Sequence, residues 1–280
     1  MDAIDVSLVI PTCRRETQLR DAIDSALRQS GVSIEIIVVD DSGERSAEAA
    51  VASFADPRLR YIARATASHG RPALVRNDGA EIAHGRYLYF LDDDDLLQPD
   101  TLAVMVKALD AAPAAGMAFG AVEPFGNDPD ILRHEVRYFS SGRQIARRLS
   151  GPRELGARLV FLPPIFVNSA CMARRTAFAL VGGYDGEIPV CEDADLWGRI
   201  ANSTGYVFVD RPVVRYRTGE SSLMHNLAAG DARLHLSYRR IQEKYRRAHG
   251  LLNFLVMKFW ARAIWRLTDS ASTALIRASE

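Results

Sequence analysis

The chain has 280 residues, 48% hydrophobic and 25% charged, the make-up of an ordinary soluble globular protein with one large α/β domain or two small ones. Its 35 Lys and Arg balance 35 Asp and Glu, so the overall charge gives no reason to expect a nucleic-acid partner. Val6–Ile10 reads as a buried strand stopped by Pro11, and Leu19, Ala22, Ile23, Ala26 and Leu27 then fall on one face of an amphipathic helix. Ile34–Val39 is a second buried strand, ending abruptly in Asp40-Asp41-Ser42-Gly43. A helix over Ala47–Phe54, a short strand over Leu59–Ile62 and a helix over Pro72–Ala83, opened by proline in its first turn, follow. Tyr87–Leu91 is another strand, running straight into Asp92-Asp93-Asp94-Asp95, and Thr101–Leu109 is again helical.

The later chain is less regular. Residues 121–165 are rich in turns, with one helical stretch near Arg143–Leu149. Phe166–Ala173 reads as a strand, Arg175–Val181 as a helix, Gly182–Gly186 as a tight turn and Ala194–Ala201 as a helix. Tyr206–Val209 and Val213–Tyr216 look like short strands, and everything from Asp231 onward is helical. Alternating helices and nearly all-apolar strands predict a parallel sheet covered on both faces. In such sheets ligands bind beyond the carboxyl ends of the strands, where two of the acidic clusters lie.

Cys13, Cys171 and Cys191 form neither a disulfide framework nor a zinc pattern, so three reduced thiols in a cytoplasmic protein are expected. Met1 is followed by Asp2 and Asp5 rather than a basic region, and no signal peptide or conventional membrane span is expected. From Asp231 to the end, ten Lys and Arg face four Asp and Glu, against 25 and 31 before it. Such a tail either meets something anionic or is a solvated helical face.

Four consecutive aspartates beside an apolar strand repel one another, and burial sharpens the cost. A surface loop would tolerate them. A divalent cation would relieve them, and Asp92 and Asp94 in an extended segment point to the same side. Such a site suits transfer from a nucleotide diphosphate, whose departing group gathers negative charge. Asp40-Asp41 is either an Asx-type turn or a carboxylate pair for a nucleobase or ribose. Glu192-Asp193-Ala194-Asp195 opens a helix, where acids complement the dipole, and one of them is also a candidate general base.

These strings, in this order over roughly residues 5–222, resemble the family 2 glycosyltransferases. Val6–Thr12 is similar to the family's opening strand. Val38-Val39-Asp40-Asp41-Ser42-Gly43 resembles its Asp-Asp-Gly-Ser turn with the last two residues exchanged. Arg76-Asn77-Asp78-Gly79 with Ala83 and Gly85 resembles the helix before its metal strand, and Phe90-Leu91-Asp92-Asp93-Asp94-Asp95 its Asp-x-Asp motif. Gly182-Gly183-Tyr184-Asp185 followed by Glu192-Asp193-Ala194-Asp195-Leu196-Trp197 is similar to its acceptor-side motif. The resemblance implies a GT-A fold, a Rossmann-like and mainly parallel sheet flanked by helices, over residues 1–225, and the residue pattern adds a basic, amphipathic helical extension over 226–280. It implies a metal-dependent, inverting transfer from a nucleotide-sugar, UDP being commonest in similar enzymes, with Mg²⁺ or Mn²⁺ as cofactor. The acceptor would be a glycan or lipid-linked hydroxyl in cell-surface or extracellular glycan assembly. It puts Pro11, Thr12, Asp40, Asp41, Arg76, Asn77, Asp92 and Asp93 on the donor side and Glu192 and Trp197 on the acceptor side. The base is Asp193. Asp92 and Asp94 hold the metal, and His225 stands in for a histidine that many members carry where this chain has Gly219.

In the tail, Lys258, Arg262 and Arg266 fall at i, i+4 and i+8 on a helix rich in Phe254, Phe259, Trp260 and Trp265. With Arg239, Arg240, Lys244, Arg246 and Arg247 upstream, that pattern fits attachment at the anionic inner face of a membrane, or packing on the domain or a second subunit. Two rival functions are a nucleotide-sugar-forming nucleotidyltransferase, which should show a glycine-rich basic loop where Cys13-Arg14-Arg15-Glu16 stands, and a catalytically degenerate scaffold.

Overall fold

The computed structural model describes residues 4–219 and 231–268. Strand β1 (Val6–Thr12), helix α1 (Glu16–Leu27), β2 (Ile34–Asp40), the short α2 (Glu48–Ala52), β3 (Leu59–Ala63), α3 (Pro72–Glu81) and β4 (Tyr87–Phe90) realise the expected alternation. Strands β1, β2 and β4 are buried almost end to end. They therefore read as continuous apolar runs rather than alternating ones. Both β2 and β4 lie parallel to β1, and β3 lies parallel to β2, with Thr12 opposite Asp40 and Val9 opposite Phe90. The carboxyl ends of three neighbouring strands thus open side by side. Helix α3 seats tightly over them because residue 79 is glycine: a Cβ there would stand 2.4 Å from Val9 Cγ1 and 3.1 Å from Val39 Cγ2.

The chain continues through β5 (Leu96–Leu97), α4 (Thr101–Ala111), β6 (Met117–Gly126), α5 (Pro129–Ala146) and α6 (Pro152–Phe161). A 3₁₀ turn (Asn168–Ala170), β7 (Cys171–Arg174), α7 (Arg175–Leu180), α8 (Glu192–Thr204) and β8 (Tyr206–Thr218) follow. The eight strands make one sheet in the order β3-β2-β1-β4-β7-β6-β8-β5. Four pairings are parallel and three antiparallel, because β7 runs against both β4 and β6, and β5 against β8. The turn-rich reading of 121–165 is corrected. That stretch holds the end of β6, an 18-residue helix and a 10-residue helix. Helix α5 hides because only Phe139, Gly142 and Ala146 are buried along it, while its start is clear in structure: Asp128 accepts from the amides of Asp130 and Ile131. The two short strands expected over 206–216 are one strand, β8, whose register against β6 shifts between Gly120 and Val122.

Helices α9 (Ala232–His249) and α10 (Leu251–Thr268) are joined at Gly250, whose φ of +81° suits glycine. The boundary expected at 225/226 falls outside the described residues. Beyond it α9 packs on the rest of the chain: Ile241 and Tyr245 join Val160, Ile188, Val190 and Ala194 in a second apolar cluster, with Phe161, Phe254 and Met257 packed against it. Arg240 and Lys244, grouped above with the lipid-facing cations, instead turn inward to Asp185, and Lys244 also reaches Asp195. The Arg266 side chain lies outside the described residues. Among the described residues no helix is long and apolar enough to cross a membrane.

Candidate active site

At the end of β2, Asp40 is fully buried. Its carboxylate accepts from the amides of Ser42 and Ala47 and from the Tyr61 hydroxyl, each at 2.8 Å. Burial alone would raise its pKa, but these donors hold it below the usual carboxylate range. Its hydrogen-bonding capacity is spent on closing the turn, so the Asx-turn reading describes Asp40. Asp41 points the other way, to the amide and hydroxyl of Ser68 at 2.7 and 2.5 Å and to Arg64 at 3.1 Å. Beside them β1 ends in Pro11 and Thr12, and the Thr12 hydroxyl donates to Asp93 Oδ2 at 2.7 Å.

The four aspartates after β4 are not equivalent. Asp92 retains 30% of its side-chain exposure and binds Arg76 at 2.6 Å. Asp93 and Asp94 share Arg15, at 3.2 and 2.7 Å. Asp95 is fully buried, accepts from the Arg217 amide at 3.0 Å, and leaves Oδ2 without a partner. Burial, then the Asp94 charge, pushes Asp93 up to about 7 against Thr12 and Arg15. Burial and neighbouring carboxylates likewise raise Asp94 and Asp95. The cluster is negative, crowded and only partly compensated.

Arg76 connects this cluster to the start of α8. From α3 its buried guanidinium donates to Asp92 at 2.6 Å and to Glu192, at the head of α8, at 2.5 Å, and it lies over the Tyr184 ring at 5.4 Å. Burial opposes its charge, yet Asp92, Tyr184 and Glu192 keep it firmly protonated. Next to Glu192, Asp193 is partly exposed and accepts from the Ala194 amide at 2.8 Å. Burial, then the adjacent Glu192, lifts its carboxyl to about 7, against Arg76. The structure thus brings together Thr12, Arg76, Asp92, Asp93, Asp94, Glu192 and Asp193.

Two residues assigned to ligands do other work. Asn77 exchanges hydrogen bonds with the Tyr184 backbone at 2.9 and 3.0 Å, locking the Gly183–Tyr184 turn. Trp197 is completely buried, its indole N–H on Asn168 Oδ1 at 3.2 Å, so it is a core residue with no surface to offer a ligand. His225 lies outside the described residues.

The sequence profile described as glycosyl transferase family 2 matches residues 7–180. The chain belongs to this family. One relative, the succinoglycan biosynthesis protein ExoO of Rhizobium meliloti (strain 1021), is 41% identical over 110 residues, 39% of this chain and 31% of that protein. The GalNAc(5)-diNAcBac-PP-undecaprenol beta-1,3-glucosyltransferase of Campylobacter jejuni subsp. jejuni serotype O:2 (strain ATCC 700819 / NCTC 11168) is 30% identical over 124 residues, 44% of this chain and 40% of that one. The chain therefore spans well under half the length of either relative. Crystalline S. aureus TarS 1-349 in complex with UDP-GlcNAc superposes with a TM-score of 0.64 at 16% identity, over 87% of this chain and 67% of that one. That likeness agrees with the GT-A architecture.

Within this family 2 fold, several site residues escaped sequence reasoning. Arg15 was considered only for a triphosphate loop. With Arg14 on Glu44 and Arg15 on Asp93 and Asp94, that loop is engaged elsewhere. Ser169 holds the Asp92 amide at 3.0 Å, and Asn168 ties the Phe90 carbonyl, the Tyr184 hydroxyl and the Trp197 indole together. Lone Asn and Ser residues in a loop give no pattern to find them by. The donor set suits a hard cation, all its oxygens being carboxylate. Among the described residues no three His, Cys, Asp or Glu side chains converge on one point. Mg²⁺ or Mn²⁺ therefore fits here only if diphosphate oxygens and water complete its shell, as those ions prefer.

Proposed function

We propose that the chain transfers a sugar from a nucleotide-diphosphate donor, with a UDP-sugar as first candidate, to an acceptor hydroxyl with inversion, in the assembly of a cell-surface or extracellular glycan. One observation carries the reading. Arg76 binds Asp92 and Glu192 at once, so the acidic end of β4 and the helix start bearing Asp193 share one guanidinium. An Asp193 carboxyl near 7 is well matched to take a proton from an acceptor hydroxyl at neutral pH. Asp92 and Asp94 would hold Mg²⁺ or Mn²⁺, which when bound supplies counter-charge to the departing diphosphate. Thr12 and Arg15 keep Asp93 and Asp94 in position. The names of the relatives support the acceptor classes, succinoglycan for one and an undecaprenol-linked acceptor for the other, and the structural neighbour binds UDP-GlcNAc.

Asp193→Asn tests the base directly. It should keep the thermal stabilisation given by a UDP-sugar with Mn²⁺ and lose transfer by about 10²-fold or more, while undiminished turnover would remove Asp193 from the mechanism. Asp94→Ala should abolish the metal-dependent part of donor binding. A panel of UDP-, GDP- and dTDP-sugars in the same thermal assay names the donor.

A further inference from the structure

Helix α10 is apolar on two sides. Its inner side packs Phe254 and Met257 into the second cluster and buries Ala261. Its outer side carries Leu251, Leu252, Leu255, Val256 and Phe259, which at about 100° per residue fall within about 140° of arc. All five are more than half exposed, with Leu252 at 78% and Phe259 at 76%. Isolated exposed apolar side chains are ordinary, whereas five on one helix face mark a surface that meets a partner.

The surrounding charge indicates which partner. Residues 244–268 include Lys244, Arg246, Arg247, Lys258, Arg262 and Arg266, and contain no Asp or Glu. Lys244 is taken up by Asp185 and Asp195, and Arg247 by Glu243. Arg246 and Arg262 stand exposed just before and just beyond the apolar face. A second copy meeting this face across a two-fold axis would bring like charges together. A bilayer with anionic headgroups accepts both the apolar strip and its cations.

We propose that the outer face of α10 docks in the interface of an anionic lipid bilayer, lying on the membrane without crossing it. The docked hairpin is joined to the acceptor side. Lys244 spans Asp185 and Asp195 at 2.9 and 2.8 Å, and the Ser237 hydroxyl accepts from the Val190 amide at 3.1 Å. Both anchors flank Glu192 and Asp193, so docking sets the position of that segment relative to the lipid surface. The functional meaning of this orientation rests on the transferase reading, whereas the docking itself does not.

The test is flotation of the full chain with phosphatidylcholine vesicles, with and without about 30% phosphatidylglycerol. The wild type should float with the anionic vesicles and hardly with the neutral ones. Leu252→Glu/Phe259→Glu, two changes at exposed positions, should weaken that binding about tenfold or more and leave the donor-induced thermal shift intact. Equal indifference to both vesicles, or flotation unchanged by the double substitution, overturns the proposal. So does a wild type that ignores lipid and forms a dimer which the substitutions dissolve. Loss of docking with the donor shift preserved would leave the transferase reading standing, and docking without any donor response would leave only the membrane surface.

Discussion

Arg76 and Asp193 show how neighbours set the charge state and contacts of single side chains. Replacing Arg76 with Ala strands Asp92 and buried Glu192 beside each other, which should cost about 3–5 kcal/mol in urea unfolding and abolish donor binding. Lys there keeps a charge but not the fork that reaches two carboxylates, so it should recover only part of either property. For Asp193, burial and Glu192 lift the carboxyl from its usual 3.8 to about 7. The folded protein then holds a proton that the unfolded chain releases between about pH 4 and 7, so stability falls as pH rises through that window and is level above it. Asp193→Asn removes this penalty. It should be more stable than the wild type above pH 7, by something on the order of 1–2 kcal/mol after screening, and the gain should vanish near pH 4 in parallel melts. With Asp193 as the proposed base, wild-type kcat/KM should rise about tenfold per pH unit up to about 7 and then level. The motif containing Asp193 was readable, but its lifted pKa was not, because the lift comes from packing around α8.

At the scale of elements, local pattern sufficed where one face repeats and failed where partners are distant. Helix α1 and strands β1, β2 and β4 were legible from apolar periodicity or continuity. Most of α5 was not, since only three of its residues are buried and one of those is a glycine. Gly79 is required by the approach of α3 to β1 and β2, so Gly79→Ala should destabilise by about 1–3 kcal/mol through overpacking. Asn168→Ala should cost a similar amount, about 1–3 kcal/mol, by leaving the Tyr184 hydroxyl and Trp197 N–H without their acceptor. Lys244→Gln should loosen the segment between Asp185 and Asp195, read as faster amide exchange there with little change in β1–β4.

For the whole molecule, β7 is the pivot. By running against β4 and β6 it ends the parallel half of the sheet and carries the chain through Asn168 and Ser169 beneath the Asp92–Asp95 loop. The hairpin of α9 and α10 closes the far side around Lys244, leaving one apolar face of α10 outward. The amino-acid order by itself determined the strand ends, the acidic clusters that terminate them and the family to which they belong, because burial and like-charge repulsion act on neighbours in the chain. Only the tertiary structure decided which carboxylates come together. Asp40 is consumed by its own turn, Asn77 and Trp197 are spent on support, and Asp92 meets Glu192 through an arginine 16 residues from one and 116 from the other. Contacts over such separations leave no periodic trace, since they form only when the sheet and helices have already packed.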